Sequence, residues 1–445
     1  MITQSTIQKS KLEGALRLDA EYYQPEYLNL VKKLDSLGAI PIKEIAKSVK
    51  RKFRPEENEL FDYIEIAEVN LGTGEYNIQK IIGREKPDRA QWIVKKNDVL
   101  ISTVRPIRNA IVLIKEEKEN LVCSSGFAIL KPKKISPQYL FIYLKTRPIV
   151  KLLQRHVTAS MYPAITLNDI LNTKIYLGKK SFRDEIAKSV REALDLLENA
   201  KFFYSKAEDL LLEELGLRNF KSEDDLSYTV NLSDAKKARR TDAEYFQPKY
   251  EKLISKIKNQ NVKLLGNLVL MKKGIEPGSE VYQEKGKLFV RVSSLSKQGL
   301  LDKDQKYISE DLYTRLKKDY QPKTGEILLT KDATPGIAYV IKEPIEGIIS
   351  AGILRLKLKE KIEPEYLVLV MNSIAGQMQA ERDTGGSVII HWRPDQIKNC
   401  LIPILPKSTQ QKIADLVRQS HESRKKAKRL LGKAKRKVEN LIYIN

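Results

Sequence analysis

Apolar residues recur at coiled-coil spacing near the middle of the chain. Ile186, Val190, Ala193, Leu197, Ala200, Tyr204, Ala207 and Leu211 follow one another in alternating steps of four and three. That is the a/d seam of a coiled coil, and it predicts one long helix over 181–215. Three of the layers are Ala, which lets a partner helix come close. Adding 227 to each position gives Ile413, Val417, Ser420, Arg424, Ala427, Leu431, Ala434 and Val438, the same phase at the far end of the chain. Arg424 departs from an apolar seam, and the expectation is that it ends the contact or snorkels to solvent. The two stretches are expected to pair with each other.

The rest of the pattern is mixed, and it occurs twice. Asp19-Ala-Glu-Tyr-Tyr-Gln-Pro-Glu-Tyr27 returns as Asp242-Ala-Glu-Tyr-Phe-Gln-Pro-Lys-Tyr250. Asp98-Val-Leu-Ile-Ser102 returns as Glu326-Ile-Leu-Leu-Thr330, and Lys134-Ile-Ser-Pro-Gln-Tyr-Leu140 as Lys361-Ile-Glu-Pro-Glu-Tyr-Leu367. Order is kept at an offset of 223 to 228, so a unit of about 225 residues is duplicated in tandem. In each unit a Pro, Pro25 or Pro248, opens a short amphipathic helix. Short apolar runs such as Val99-Leu-Ile and Ile327-Leu-Leu read as strands. Pro137 and Pro364 open further helices, and the long helix closes the unit. The predicted fold class is α+β: two tandem-duplicated domains joined by two long antiparallel coiled-coil helices with pseudo-two-fold symmetry. The expected boundaries are 1–180 for the first domain, 181–220 for the central helix, 221–407 for a connector and the second domain, and 408–445 for the C-terminal helix. The polar stretch 214–234 reads as a surface connector.

Charge changes the picture. The chain carries a formal +23, which favours a polyanionic partner, nucleic acid above all. The central helix region, 181–220, has a net charge of −3 and the C-terminal stretch, 408–445, a net +8. Opposite charge supports their pairing, and +18 remains on the domains themselves. A rod of about 30 residues is about 45 Å long, the length of about 13 base pairs of duplex. Two domains held on such a rod suit two separated sites on one double-stranded DNA. The two cysteines, Cys123 and Cys400, sit among apolar residues with no CxxC neighbour, so no disulfide or zinc site is implied. No signal sequence or membrane span is present in the pattern, and a cytoplasmic location is expected.

Catalytic motifs are missing. There is no GxxxxGK[ST] loop, no [ND]PP[YF] motif and no GxGxxG after a strand. His156, His391 and His421 lie far apart and show no metal-ligand spacing. Pro87-Asp88 with Glu116-Glu-Lys118 is a faint nuclease-like pattern that reads better as a solvated turn.

The paired nonapeptides, Asp98-Val-Leu-Ile-Ser-Thr-Val-Arg-Pro106 and its counterpart from Gly325 to Gly336, and Ile402-Pro-Ile-Leu-Pro406 leading into Gln410-Gln-Lys-Ile-Ala414 resemble the specificity subunits of type I restriction-modification enzymes. The first copy departs at Leu177-Gly-Lys-Lys-Ser, where the second has Pro403-Ile-Leu-Pro-Lys. The resemblance implies two target recognition domains, each reading half of a split DNA target, with the helices as a ruler for the spacer. It implies a non-catalytic chain with no cofactor of its own. Two methyltransferase subunits with S-adenosylmethionine, and restriction subunits with ATP and Mg, are the implied partners. A single-chain DNA-modifying enzyme and a plain coiled-coil scaffold are the alternatives.

Base reading needs donors and acceptors on loops held by a scaffold. Arg105, Arg108 and Asn109 lie in one such loop, as DNA contacts or as a solvated turn. Lys331, Asp332 and Thr334 match them by position. A second loop holds Thr158, Ser160 and Tyr162, with Ser387, His391, Trp392 and Arg393 as its counterpart. Trp392 is either a contact or core. The nonapeptides do not suit reading, because two different readers would not share them. Tyr22, Tyr23, Tyr245 and Phe246 are expected to dock partner subunits or to pack internally.

Overall fold

A computed structural model of the chain describes residues 4–10, 12, 17–158, 161–221, 223–301, 305–384 and 390–444. It divides into two compact units, Met1–Leu197 with Lys425–Asn445, and Glu198–Arg424. The division falls inside both long helices rather than at the expected domain–helix junctions. Each unit therefore keeps one half of each helix in its own core.

In the first unit, α1 (Pro25–Ser36) starts at its proline, as expected from the ring's fixed φ. The strands of its two larger sheets are β1 (Ala46–Ser48), β2 (Leu60–Ile64), β3 (Gln79–Ile82), β4 (Ala90–Ile93), β5 (Val99–Ser102), β6 (Ile111–Leu113), β7 (Leu121–Ser124) and β8 (Phe127–Pro132). They form two four-stranded sheets, β1-β8-β5-β6 and β3-β2-β7-β4. The first is wholly antiparallel, with Val99 opposite Leu130 and Ser102 opposite Phe127. β5 and β7 are buried on both faces, which explains their unbroken apolar sequence. Three helices complete the unit, α2 (Pro137–Leu144), α3 (Arg147–Arg155) and α4 (Leu167–Asn172).

The second unit repeats the order, except that a helix stands where the first has its fourth strand. It has α5 (Pro248–Lys258), β9 (Val269–Lys273), β10 (Lys287–Val290), β11 (Lys306–Ile308), α6 (Glu310–Tyr320), β12 (Ile327–Thr330), β13 (Ala338–Val340), β14 (Gly347–Ile349), β15 (Ile353–Leu358), α7 (Pro364–Asn372), α8 (Ile374–Asp383) and α9 (Pro394–Lys398). One sheet, β9-β15-β12-β13, matches its first-unit counterpart strand for strand. Ile327 faces Leu356 and Thr330 faces Ile353, the same register one repeat later. The other sheet has only three described strands, β11-β10-β14.

The long helices run from Lys180 to Glu214 and from Lys407 to Tyr443. Every predicted seam residue is buried: Ile186, Val190, Leu197, Leu211, Ile413, Val417, Leu431 and Val438. In the first unit, Ile186, Val190, Ala193 and Leu197 share a core with Ala427, Leu431, Ala434 and Val438. In the second, Ala207 and Leu211 share one with Ile413 and Val417. Glu185 pairs with Lys437, and the Ser420 hydroxyl donates to the Ala200 carbonyl at 2.6 Å. Early residues of one helix thus meet late residues of the other, so the pairing is antiparallel. A serine can reach a backbone carbonyl across the seam because the facing layer is Ala. Arg424 is 5% exposed, so it neither ends the contact nor snorkels.

A buried tyrosine ties down the segment that leads into each long helix. The Tyr139 hydroxyl donates to the Leu177 carbonyl at 3.2 Å, and Tyr366 to the Pro403 carbonyl at 2.7 Å. The connector is not all surface. Leu215 and Leu217 are buried with the second unit's core, and Leu232–Ala238 is a short helix, while Leu226 is fully exposed.

Candidate nucleic-acid interface

Two loops meet in each unit. In the first, the chain leaves β5, turns through Arg105 and a 3-10 turn at Pro106–Arg108, and re-enters β6. The Arg105 N–H donates to the Pro163 carbonyl at 2.7 Å, and the Ile165 N–H to the Thr103 carbonyl at 2.9 Å. The loop after β5 is thereby paired to the loop between α3 and α4. In the second unit the Ala333 N–H donates to the Ile390 carbonyl at 2.9 Å, and the Trp392 N–H to the Lys331 carbonyl at 2.7 Å. The same two loops are joined in the same way, one repeat later.

Backbone geometry explains the residues at these turns. Arg105 and Asn109 are both left-handed, with φ of 49° and 60°. Asn tolerates this region better than most residues. Gly336 stands in the equivalent place to Asn109, with φ of 89°, and a Cβ there would lie 2.7 Å from the Gln377 amide nitrogen.

On the first unit Arg105, Arg108, Thr158, Met161 and Tyr162 are exposed beside one another's loops, together with Ile107. Asn109 is not available to a base. Its Nδ2 donates to the Lys145 carbonyl at 3.0 Å and its Oδ1 is buried, so it ties the loop to the end of α2. On the second unit Thr334, His391 and Arg393 are exposed. Lys331 is buried and pairs with Asp332 at 2.5 Å, while Asp332 accepts from His391 Nδ1 at 2.8 Å. Lys331 therefore neutralises Asp332 rather than offering its charge to DNA. With Nδ1–H donating to Asp332, Nε2 is the nitrogen that a neutral His391 ring keeps as an acceptor. Trp392 is fully buried, which removes it from any reading surface and makes it core. Ser160 and Ser387 lie outside the described residues.

The chemistry of the two surfaces differs. Arg105 and Arg108 present guanidinium donors, which match the two acceptors of guanine. Thr334 and His391 present a hydroxyl and an imidazole acceptor, which match bases that donate. Among the described residues no group of His, Cys, Asp and Glu could hold a metal ion. Burial pushes the Cys400 thiol up to about 12 and raises that of Cys123, so neither is a ready nucleophile.

The nonapeptide aromatics divide. Tyr22 and Tyr23 are buried against each other, and Tyr22 also against His156, so they pack internally. Tyr245 and Phe246 are half-buried and line a cavity of about 650 Å³ between the connector and α5. Arg17 and Arg240, two residues upstream of each nonapeptide, were not singled out by the seam or the loops. They hold the Asp19 and Asp242 carboxyls below the usual carboxylate range through hydrogen bonds. Extending the repeat by two residues, to Arg17-x-Asp19 and Arg240-x-Asp242, is the signal that finds them.

Two duplicated α+β units on a shared antiparallel helix pair, each with an equivalent loop surface of different chemistry, define the class of tandem-duplicated, helix-paired proteins. The chain belongs to the family of type I restriction modification DNA specificity domains, whose model matches residues 35–201 and 257–428, and it is a specificity subunit of a type I restriction-modification system. It is similar to the Type I restriction enzyme HindI specificity subunit of Haemophilus influenzae, at 22% identity over 120 residues. That match spans 26% of this chain and 26% of the relative's length. Among solved structures, the HsdS subunit from Thermoanaerobacter tengcongensis is 18% identical over 90% of this chain and 95% of that one, with a TM-score of 0.34. The S subunit from M. genitalium is 13% identical over 91% and 94%, with a TM-score of 0.39. Scores this low add nothing to the fold as described above.

Proposed function

We propose that this chain is the non-catalytic, double-stranded-DNA-reading subunit of its complex, each unit reading one half of a bipartite target. The observation that carries the reading is the repeated loop pair. The same backbone hydrogen bonds hold it in both units, while the exposed side chains on it differ. A shared scaffold with unlike surfaces is what two unlike half-sites require. The paired helices set the spacer between the half-sites. The chain directs two methyltransferase subunits, which bring S-adenosylmethionine, and restriction subunits, which bring ATP and Mg. Tyr245 and Phe246 remain candidates for partner docking. No helix among the described residues is long and apolar enough to cross a membrane, and a cytoplasmic location accords with the substrate.

Methylome mapping of cells carrying the chain with its methyltransferase partners tests this. A split motif with a fixed gap is expected, and a single unsplit motif overturns the reading. Inserting one heptad into both long helices is expected to lengthen the gap by about 3 base pairs, from ~1.5 Å per helical residue and ~3.4 Å per base pair, without changing either half-site.

A further inference from the structure

The nonapeptide is nearly identical in two units whose reading loops differ, so its work is common to both. Its surroundings are common too. In the first unit the Arg17 guanidinium makes a two-pronged pair with Asp19, at 2.7 and 2.6 Å. It lies 4.8 Å from the centre of the Tyr22 ring, and Arg155 lies over the same ring at 3.9 Å. From this stack Arg17 donates to the carbonyls of His156 and Val157, at 3.3 and 3.4 Å. These carbonyls sit just past the end of α3, where intrahelical partners run out and a cation is favoured. They are also the first residues of the loop that carries Thr158 and Tyr162.

The second unit builds the same device. Arg240 makes a two-pronged pair with Asp242, at 2.8 and 2.5 Å. Arg240 lies over the Tyr245 ring at 4.5 Å, and Arg382 over the same ring at 5.4 Å. Arg240 donates to the Asp383 carbonyl, at the end of α8, at 3.1 Å. The strap residues correspond at an offset of 223 and the helix-end residues at 227. Exposure matches as well, 21% for the Arg17 side chain and 23% for Arg240.

The far end of each loop is tied to the same point. His156 Nδ1 lies 3.3 Å from Asp169 Oδ1, and Asp169 is the third residue of α4, whose side chain closes the capping box with Thr166. In the second unit the Gln396 amide donates to the Asp383 carbonyl at 2.6 Å, and Gln396 holds the equivalent place in α9. One residue, His156 or Asp383, is thus bound on one side to the N-terminal strap and on the other to the helix after the loop. Different side chains make the second tie, but the two places joined are the same.

We propose that Arg17 and Arg240 are positioning residues for DNA recognition, each clamping the base of its own unit's second reading loop. The proposal rests on the reading above that these loops meet DNA. The clamp fixes where Tyr162 and His391 stand without touching DNA itself. It also explains why the motif is repeated while the loops are not.

The test uses the full chain assembled with its methyltransferase subunits. Arg17→Ala and Arg240→Ala are each mapped by methylome sequencing, and melting temperature is measured alongside. Arg17→Ala is expected to cut discrimination against single mismatches in the first half-site about tenfold. The second half-site and the gap stay as in the wild type. Arg240→Ala is expected to do the reverse. Arg17→Lys, which keeps a cation at the helix end but cannot make the two-pronged pair, is expected to give a smaller change in the same half-site. It stands in if Arg17→Ala does not fold. A folded Arg17→Ala protein with both half-sites unchanged overturns the clamp. Equal loss at both half-sites also overturns it, because that is the mark of a general structural role. A wild-type protein with no split motif defeats the DNA reading itself, and is told apart because it needs no variant.

Discussion

The two units solve the same packing problem with partly different chemistry. Both strand domains must be joined to the helix layer behind them. In the first unit Lys115 reaches the Leu194 carbonyl on the central helix at 3.0 Å. In the second, Lys342, its positional equivalent, pairs with Glu365, which also binds Arg418 of the C-terminal helix at 2.9 Å. Glu363 and Asp415 also pair with Arg418. The place of Glu365 is held in the first unit by the uncharged Gln138. A second exchange is reciprocal. Lys145 donates from the end of α2 to the Leu71 carbonyl at 2.8 Å, whereas Lys297 donates from the strand side to the carbonyl of Asn372, the equivalent of Lys145, at 2.7 Å. The same two places are joined by a lysine from opposite ends. What duplication preserves is therefore the location of a link rather than the residue that makes it.

The comparison breaks most sharply at Glu365. Glu365→Ala leaves Lys342 and Arg418 facing an emptied, buried site, and is expected to cost about 3–5 kcal/mol in urea unfolding. Gln138→Ala is expected to cost less than about 0.5 kcal/mol. Equal effects would mean that the ionic network adds nothing. Trp392→Ala should also cost about 3–5 kcal/mol as a core deletion. If it instead left stability intact and altered the second half-site, the residue would be a reader after all.

pH separates the units next. Burial, with Lys342 and Arg424 nearby, lowers the His421 pKa to about 4, and Tyr339 packs against the ring. Its unfolded value is higher, so the unfolded state binds more protons between about pH 4 and 6.5. Stability of the second unit therefore rises with pH across that window, and the cost of the buried imidazole is fully present below it. Burial, with Lys435 nearby, lowers Lys145 to about 7. By the same sign, the first unit gains stability from about pH 7 up to the ordinary lysine range. His421→Leu, which installs the residue found at the equivalent Leu194, should flatten the acid window in thermal unfolding. Lys145→Met should flatten the alkaline one. An unchanged slope in either variant removes that group as its source.

The smallest difference is a single hydroxyl. Tyr23 donates to the Arg17 carbonyl at 3.0 Å, and Phe246 cannot make the equivalent bond. Tyr23→Phe should cost about 0.5–1.5 kcal/mol by calorimetry. A clamp that tolerates the change in the first half-site would show that the hydroxyl serves stability alone.

Much of the architecture is local and so was readable in advance. The heptad phase, the tandem repeat and the prolines at Pro25, Pro137, Pro248 and Pro364 mark elements whose cause lies within a few residues of each position. The opposed helix charges named the partner as well. The site was less legible. Residue type alone does not separate the buried Trp392 and Lys331 from the exposed Arg105 and His391, since all four suit DNA by composition. Tyr22 looked like an interface anchor and is core, because Arg17 close by in sequence and Arg155 far from it both close over its ring.

The sequence by itself determined that the chain is two like units on a shared helix pair, because periodicity and repetition are properties of order along the chain. Only the tertiary structure decided that Arg105 lies beside Pro163, that Asn109 is spent on the Lys145 carbonyl, and that the arginine ahead of each nonapeptide holds the base of a loop 139 or 143 residues away. Those contacts depend on burial and on hydrogen bonds between distant segments, and no spacing along the chain encodes which polar groups will find each other.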